Sequence, residues 1–260
     1  MSKLGGKVVV VTGASRGIGK AIAKGMALEG ASLAILGRTL SLSDPSELSI
    51  ERTVQEIKDF GGIAQGYFCD VTDESSVNSA FINLREELGS VDVLVNNAGV
   101  LARVGFLETS ISLWDSIMRT NLDGVYFCTM AVLPEMCRRN SGVIINISSS
   151  RGYSDDAQST AYAVSKAGLD RLTIKLATEL LGFGISVNSL QPGLTMTELM
   201  AEKNPDLLEM SPKWTEEKNI IPACVWLAAQ QGTDVTGQVL DERDFGSTWP
   251  IKGISNPTIS

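Results

Sequence analysis

The chain alternates between short, nearly continuous apolar runs and longer stretches whose apolar residues recur at helical spacing. The runs KVVVVTG (7–13), ASLAILG (31–37), GIAQGYFCDV (62–71), VDVLVNNAG (91–99), GVIINISS (142–149) and ISVNSLQPG (185–193) read as strands. Several are almost unbroken in Val, Ile and Leu, as strands buried on both faces should be. A shorter run, GQVLD (237–241), follows near the end. Between them lie helical patterns. Residues 17–30 are Ala-rich and stop at Gly30, and 73–88, 110–138, 159–182 and 216–230 follow. Residues 44–60 open with Asp44 as a cap, Pro45 at the first helical position and Glu47 three residues after the cap, a capping-box pattern.

Strand–helix alternation along the whole chain predicts an α/β fold: one doubly wound, mostly parallel seven-stranded sheet with helices on both faces. No linker, repeat or low-complexity tract divides the 260 residues, so a single domain over 1–260 is expected. In such a sheet a ligand sits outside the carboxyl ends of the strands.

Composition narrows the chemistry. Hydrophobic content of 43% with 20% charged residues fits a folded chain and argues against long disorder. A net charge of −8 disfavours nucleic acid and anionic membranes as main partners. There are no histidines, which removes a Ser-His-Asp triad, a Cys-His dyad and any His-ligated metal. Cys69, Cys128, Cys137 and Cys224 form no C-x-x-C pair and read as reduced thiols, mostly in the core; no metal site is expected. No apolar run reaches the roughly 18 residues of a membrane span, and the N-terminus lacks a signal-peptide h-region. The expectation is a cytoplasmic protein.

The first strand ends in TGASRGIGK (12–20), with Gly13, Gly17 and Gly19 spaced G-x-x-x-G-x-G. A Walker A loop would need residues other than Ala14 and Ala21, and the G-x-G-x-x-G fingerprint also fails. What is left is a glycine-rich turn between a strand and a helix, suited to a pyrophosphate at the helix N-terminus, or a tight turn with no ligand. Further on, AYAVSK (161–166) sets Tyr162 and Lys166 four residues apart, on one helix face. Chance supplies roughly 0.2 such pairs in this composition, so the pair alone is weak. Its chemical reading is a cation that stabilises phenolate and makes tyrosine a usable acid and base.

TGASRGIG, then NNAG (96–99), then SSSRGYSDDAQSTAYAVSK (148–166), then PGLTMT (192–197) occur in one chain. In order and spacing this set resembles the short-chain dehydrogenases/reductases, over about residues 5–246, and the resemblance implies a Rossmann fold. It implies that Tyr162 is the catalytic acid/base, that Lys166 lowers its pKa and holds the nicotinamide ribose, and that Ser149, thirteen residues before the tyrosine, binds the substrate carbonyl oxygen. Asn121, in RTNLDG (119–124), would support a water relay to the lysine. Each has a plainer alternative: Ser148 or Ser150 could be the active serine, and Asn121 could be a helix-bend residue. The resemblance places Gly13, Ser15, Arg16, Gly17, Ile18, Gly19, Arg38, Asp70, Val71, Asn97, Ala98, Gly99, Tyr162, Lys166, Pro192, Gly193, Thr195 and Thr197 against the cofactor. Asp70 would meet the adenine amino group, or merely cap a helix, and Asn96, Ala98 and Gly99 are read as partly structural.

The second strand ends AILGRT (34–39), with Gly37 where NAD-preferring members carry an acid, followed by Arg38. Arg38 and Arg16 converging on one ribose would favour a 2′-phosphate, so NADP (NADPH) is the expected cofactor; two solvated arginines are the plain alternative. The expected function is hydride transfer between the nicotinamide and a ketone or secondary alcohol. The alternatives are an NAD-dependent alcohol or hydroxysteroid dehydrogenase of the same family and a non-catalytic dinucleotide-binding sensor. A lid is expected over 194–214, and its Leu, Met and Trp hint at an apolar small-molecule substrate, with Arg103, Arg151 and Asp156 near the pocket. The resemblance implies a homotetramer or homodimer. DERDFG (241–246) departs from the family's usual ending, and Trp249 in the tail (247–260) could reach a neighbouring subunit or a pocket, or lie in a loose tail.

Overall fold

The computed structural model describes residues 2–39, 49–154, 158–193, 195 and 216–249. These residues form one sheet of seven strands: β1 (Val8–Thr12), β2 (Ser32–Gly37), β3 (Ile63–Phe68), β4 (Val93–Asn96), β5 (Gly142–Ile147), β6 (Ile185–Gln191) and β7 (Val239–Asp241). The order is β3-β2-β1-β4-β5-β6-β7 and every pairing is parallel. Winding runs outward one way from β1 to β3, then restarts at β4 on the other side of β1. The carboxyl ends of β1 and β4 therefore flank the crevice where connections diverge, the usual ligand position of such a sheet.

Period-two alternation explains how both faces are buried. Val9, Val11, Leu33, Ile35, Val93, Val95, Val143 and Ile145 point to one side, under α1 (Gly17–Leu28) and α2 (Ile50–Asp59). Val10, Ala34, Leu36, Leu94 and Ile144 point to the other, under α3 (Glu74–Leu88), α5 (Gly124–Arg139) and α6 (Thr160–Leu180). Among the described residues the remaining α-helices are α4 (Ile111–Met118) and α7 (Ile221–Ala228), the second of which joins the first layer.

Three sequence expectations change. The helix expected over 110–138 is broken by a π-helical turn, Arg119–Asp123, which separates α4 from α5. The helix of residues 44–60 starts at Ile50, where Ser49 caps it by accepting from Arg52 N; Asp44, Pro45 and Glu47 lie outside the described residues. Trp249 packs on its own chain: its Nε1 donates to Asp241 O at 2.9 Å and its ring stands edge-on to Trp226 and Phe245. Among the described residues no helix is long and apolar enough to cross a membrane, and no group of ligating side chains could hold a metal. Cys69, Cys128 and Cys224 are buried and, with Cys137, unpaired.

Candidate active site

The β1–α1 turn is shaped by contact. Gly13 has φ +64, and a Cβ there would come within 2.9 Å of the Ala98 Cα. A Cβ on Gly19 would stand 2.4 Å from Asn97 Nδ2 and 2.6 Å from Gly13 O. The turn can thus close onto the end of β4, and side chains tie it there. Asn97 Nδ2 donates to Thr12 O and Gly13 O, while the buried Thr12 Oγ1 accepts from the backbone N–H groups of Asn97 and Ala98, both at 3.0 Å. Behind the turn, Thr53 of α2 donates to Ala14 O at 3.0 Å.

A cavity of about 310 Å³ opens in front of this turn, at the crevice between β1 and β4. Of the residues expected at the cofactor, Gly13, Ser15, Arg16, Gly17, Arg38, Asp70, Val71, Asn97, Ala98 and Gly99 line it. Ile18 instead packs against the core, and Gly19 is the close-packed position described above. The cavity also takes in Gly37, Thr39, Cys69, Thr72, Val100 and Thr120. Several of these adjoin a chosen residue, so taking whole strand ends rather than single positions would have found them. Asp70 is no helix cap: that role falls to Asp73, and Asp70 Oδ1 accepts from both the N–H and hydroxyl of Thr72.

The second half of the site hangs on α6. Tyr162 and Lys166 lie one turn apart, with the lysine Nζ 5.7 Å from the ring centroid. Lys166 is 4% exposed, and its Nζ donates to Ile147 O at the end of β5, 2.7 Å away. Burial lowers its pKa to about 8, against a smaller upward pull from Asp170. Tyr162 moves the opposite way. Burial pushes its phenol up, while a hydrogen bond with Ser149 and the charge of Arg151 pull it down. Lys166 is not among the groups that shift it. This differs from the expected lysine-lowered phenol, because the ammonium is turned to the Ile147 carbonyl and desolvation is the larger effect on the tyrosine.

The three serines separate clearly. Ser148 is buried with its hydroxyl towards Lys166 O, Ser150 is exposed, and Ser149 meets Tyr162 while accepting from Arg151 N. Asn121 is fully buried in the π-helical turn. Its Oδ1 accepts from Val100 N at 2.9 Å, and its Nδ2 donates to Val100 O and to Ser165 Oγ. Ser165 in turn donates to Tyr162 O. The bend and the link to α6 are thus one feature. Gly99 borders both halves: a Cβ on it would stand 3.3 Å from Asn121 Oδ1 and 3.8 Å from Lys166 Nζ.

At the end of β6, Gly193 N donates to Glu242 Oε1 at 3.1 Å, and Thr195 Oγ1 donates to Gly193 O. Thr197, Asp156 and residues 196–214 of the expected lid lie outside the described residues. Arg103 is exposed. Ser165, Asp170 and Gln191 were missed; the available signal for Asp170 was its place four residues beyond Lys166 on the same helix face.

A parallel sheet whose switch point carries a glycine-cradled cavity, beside a half-buried tyrosine and a buried lysine one turn apart, defines a dinucleotide-dependent oxidoreductase. The family model for short chain dehydrogenases matches residues 7–208. The 3-oxoacyl-[acyl-carrier-protein] reductase FabG of Thermotoga maritima is 34% identical over 244 residues, covering 92% of this chain and 96% of its own. A Beutenbergia cavernae chain provisionally described as an NAD(P)-dependent gluconate 5-dehydrogenase, with NADP bound at low occupancy, is 32% identical. It superimposes with a TM-score of 0.83 over 93% of this chain and 97% of its own. A gluconate 5-dehydrogenase from Burkholderia cenocepacia, in complex with NADP and tartrate, is 30% identical with a TM-score of 0.80 over 92% and 94% of the two chains. The chain belongs to the short-chain dehydrogenase family.

Proposed function

We propose that the protein is an NADP(H)-dependent oxidoreductase that reduces a ketone, or oxidises the matching secondary alcohol, with Tyr162 as acid/base assisted by Ser149, Lys166 and Asn121. The observation that carries this reading is the Ser149–Tyr162 contact, one helical turn from the buried Lys166. The cavity fits the cofactor. Its glycine turn leaves no room for side chains, the N-terminus of α1 begins at Gly17, and Arg16 and Arg38 line it with Gly37 where an acid would repel a 2′-phosphate. The two solved neighbours described above carry NADP.

When bound, NADPH supplies the hydride. A phenol pushed up by burial keeps its proton at neutral pH, the form needed to protonate a carbonyl oxygen as negative charge develops on it. Ser149 donates a hydrogen bond to the same oxygen, most strongly when that charge is largest. The phenolate left behind is stabilised by the Ser149 hydroxyl and the charge of Arg151, and Lys166, with its ammonium on the Ile147 carbonyl, stands one helical turn away. Asn121, fixed to Val100 and Ser165, holds the wall of the site that faces the lysine.

Arg151 also bears on the substrate. The charge of Arg151 acts on Tyr162, so keto acids belong in the substrate panel beside the apolar ketones expected from residues 194–214. The Burkholderia cenocepacia neighbour holds tartrate, a hydroxy dicarboxylate. The proposal further includes a cytoplasmic setting and assembly as a homodimer or homotetramer through α5 and α6, whose outer faces expose Tyr126, Met130 and Val164.

The test is turnover of purified protein with NADPH against neutral ketones and keto acids, beside Tyr162→Phe. The variant keeps the packing and is expected to lose about 10²–10⁴-fold in kcat while binding NADPH normally. Near wild-type turnover by Tyr162→Phe would refute the assignment. Cofactor binding with no turnover on either class would favour a sensor.

A further inference from the structure

Asp170 is fully buried on α6, eight residues after Tyr162 and four after Lys166, so the three side chains stack along one helix face. A buried carboxylate is retained at a high desolvation cost unless it is paired or hydrogen-bonded. This one is poorly satisfied. Gln191 Nε2 donates to its Oδ2 at a long 3.3 Å, and Oδ1 has no hydrogen-bond partner among the described residues. Gln191 is itself buried and ends β6, immediately before Pro192 and Gly193. The Tyr153 phenol, on the turn after Ser149, is raised by burial first, then by the charge of Asp170 and a side-chain hydrogen bond with it. A buried carboxylate with no cation within ion-pair distance among the described residues thus stands where the lysine helix, the serine loop and the end of β6 meet.

We propose that Asp170 is a positioning residue for this reaction: its buried carboxylate keeps Lys166 in the ammonium form and anchors the end of β6 beside it. This rests on the proposed role of Lys166 beside Tyr162. The lysine has no carboxylate within ion-pair distance among the described residues; Nζ spends one donor on Ile147 O. Burial drives it towards the neutral amine, and Asp170 is the charge that opposes this. The other groups around the pair are few. Tyr162 shares α6 with them. The turn after β5 brings Arg151, which acts on Tyr162, and Tyr153, which meets Asp170. The Ile147 carbonyl, Asn121 and Gln191 face the pair from β5, the π-helical turn and β6, and none of them titrates. Glu242 is committed to Gly193 N beyond Gln191. An amine in place of the ammonium would remove the positive charge that stands one helical turn from Tyr162.

The decisive experiment titrates Lys166 in cofactor-free protein by the 13Cε resonance of labelled lysine, assigned with Lys166→Met, in wild type and Asp170→Asn. The wild-type midpoint is expected near 8. In Asp170→Asn it falls by about one pH unit, a tenfold change in the ammonium-to-amine ratio. Asp170→Glu, which keeps the charge, restores most of the shift. With an active substrate in hand, the alkaline side of the kcat profile of Asp170→Asn moves to lower pH in step. Thermal stability is expected to hold or rise, because an underpaired buried charge has been removed. If the amide is not tolerated, Asp170→Ser removes the same charge with a smaller side chain. An unmoved midpoint, or a fall in melting temperature with the titration unchanged, overturns the proposal and leaves Asp170 a packing residue. The resonance reads Lys166 without turnover, so it separates this inference from the proposed activity: no active substrate with a shifted midpoint sinks only the latter.

Discussion

Burying an ammonium is unfavourable unless its surroundings compensate, and at Lys166 one carbonyl and one distant carboxylate compensate only in part. The pH dependence of stability should show it. Unfolded, the lysine holds its proton up to its ordinary 10.5; folded, it releases it near 8. Between those values the unfolded chain binds more protons, so the Lys166 contribution improves as pH rises, and below pH 8 the full penalty is present. Urea unfolding of wild type and Lys166→Met at pH 7, 8, 9 and 10 should therefore show the wild type gaining on the variant by on the order of 3 kcal/mol from pH 7 towards 10.5. A constant difference across that range would show that the lysine is not desolvated as drawn. At this scale the sequence was readable where spacing carries chemistry. Tyr162 and Lys166 announce themselves by the four-residue interval, and Ser149 by its distance from Tyr162. At Asp170 the four-residue interval from Lys166 was there, but an aspartate in an amphipathic pattern looks solvated until β6 and the serine loop are seen to cover it.

At the scale of elements, the glycine turn is the part most tightly determined by contact. Gly19 sits on α1 where a methyl group would collide with Asn97 Nδ2 and with Gly13 O, and the second obstacle is backbone that cannot rotate away. Gly19→Ala is expected to force α1 away from the end of β4 and to break the Asn97 bonds to Thr12 O and Gly13 O. The cost should be about 1–3 kcal/mol of stability, with a loss of cofactor affinity of at least tenfold. Calorimetry with NADPH and chemical unfolding measure the two effects, and an alanine variant with wild-type affinity would contradict the close packing. The turn was legible because glycine spacing is a local signal. The break between α4 and α5 was not. A π-helical turn adds one residue without interrupting the apolar pattern, and the cause, Asn121 bonding both backbone groups of Val100, is 21 residues distant. The start of α2 was misplaced for the opposite reason: a capping box is short enough to occur where a later serine caps the helix instead.

For the molecule as a whole, unbroken Val, Ile and Leu runs foretold a sheet covered on both sides, and period two correctly divides Val9 and Val11 from Val10. Strand order is not written in any one run. It comes from which edges pair over long range, so the crevice between β1 and β4 appears only once the sheet is assembled. That crevice couples the cofactor to global stability, because a ligand held by the folded chain alone shifts the unfolding equilibrium. NADPH at a hundred times its dissociation constant should stabilise the protein by about 2.7 kcal/mol, or roughly 5–10 °C in melting temperature for a chain of this size. If Arg16 and Arg38 grip a 2′-phosphate, NADH binding a hundredfold more weakly contributes only about 0.4 kcal/mol at the same concentration, a shift of roughly 1 °C. Arg38→Ala should then bring the NADPH shift close to that of NADH while leaving the NADH shift alone, since Gly37 offers the ribose hydroxyls no acid in either protein. Equal shifts for the two cofactors in the wild type, or equal losses for both in the variant, would mean that the arginines act through general charge and that the missing acid does not set the preference.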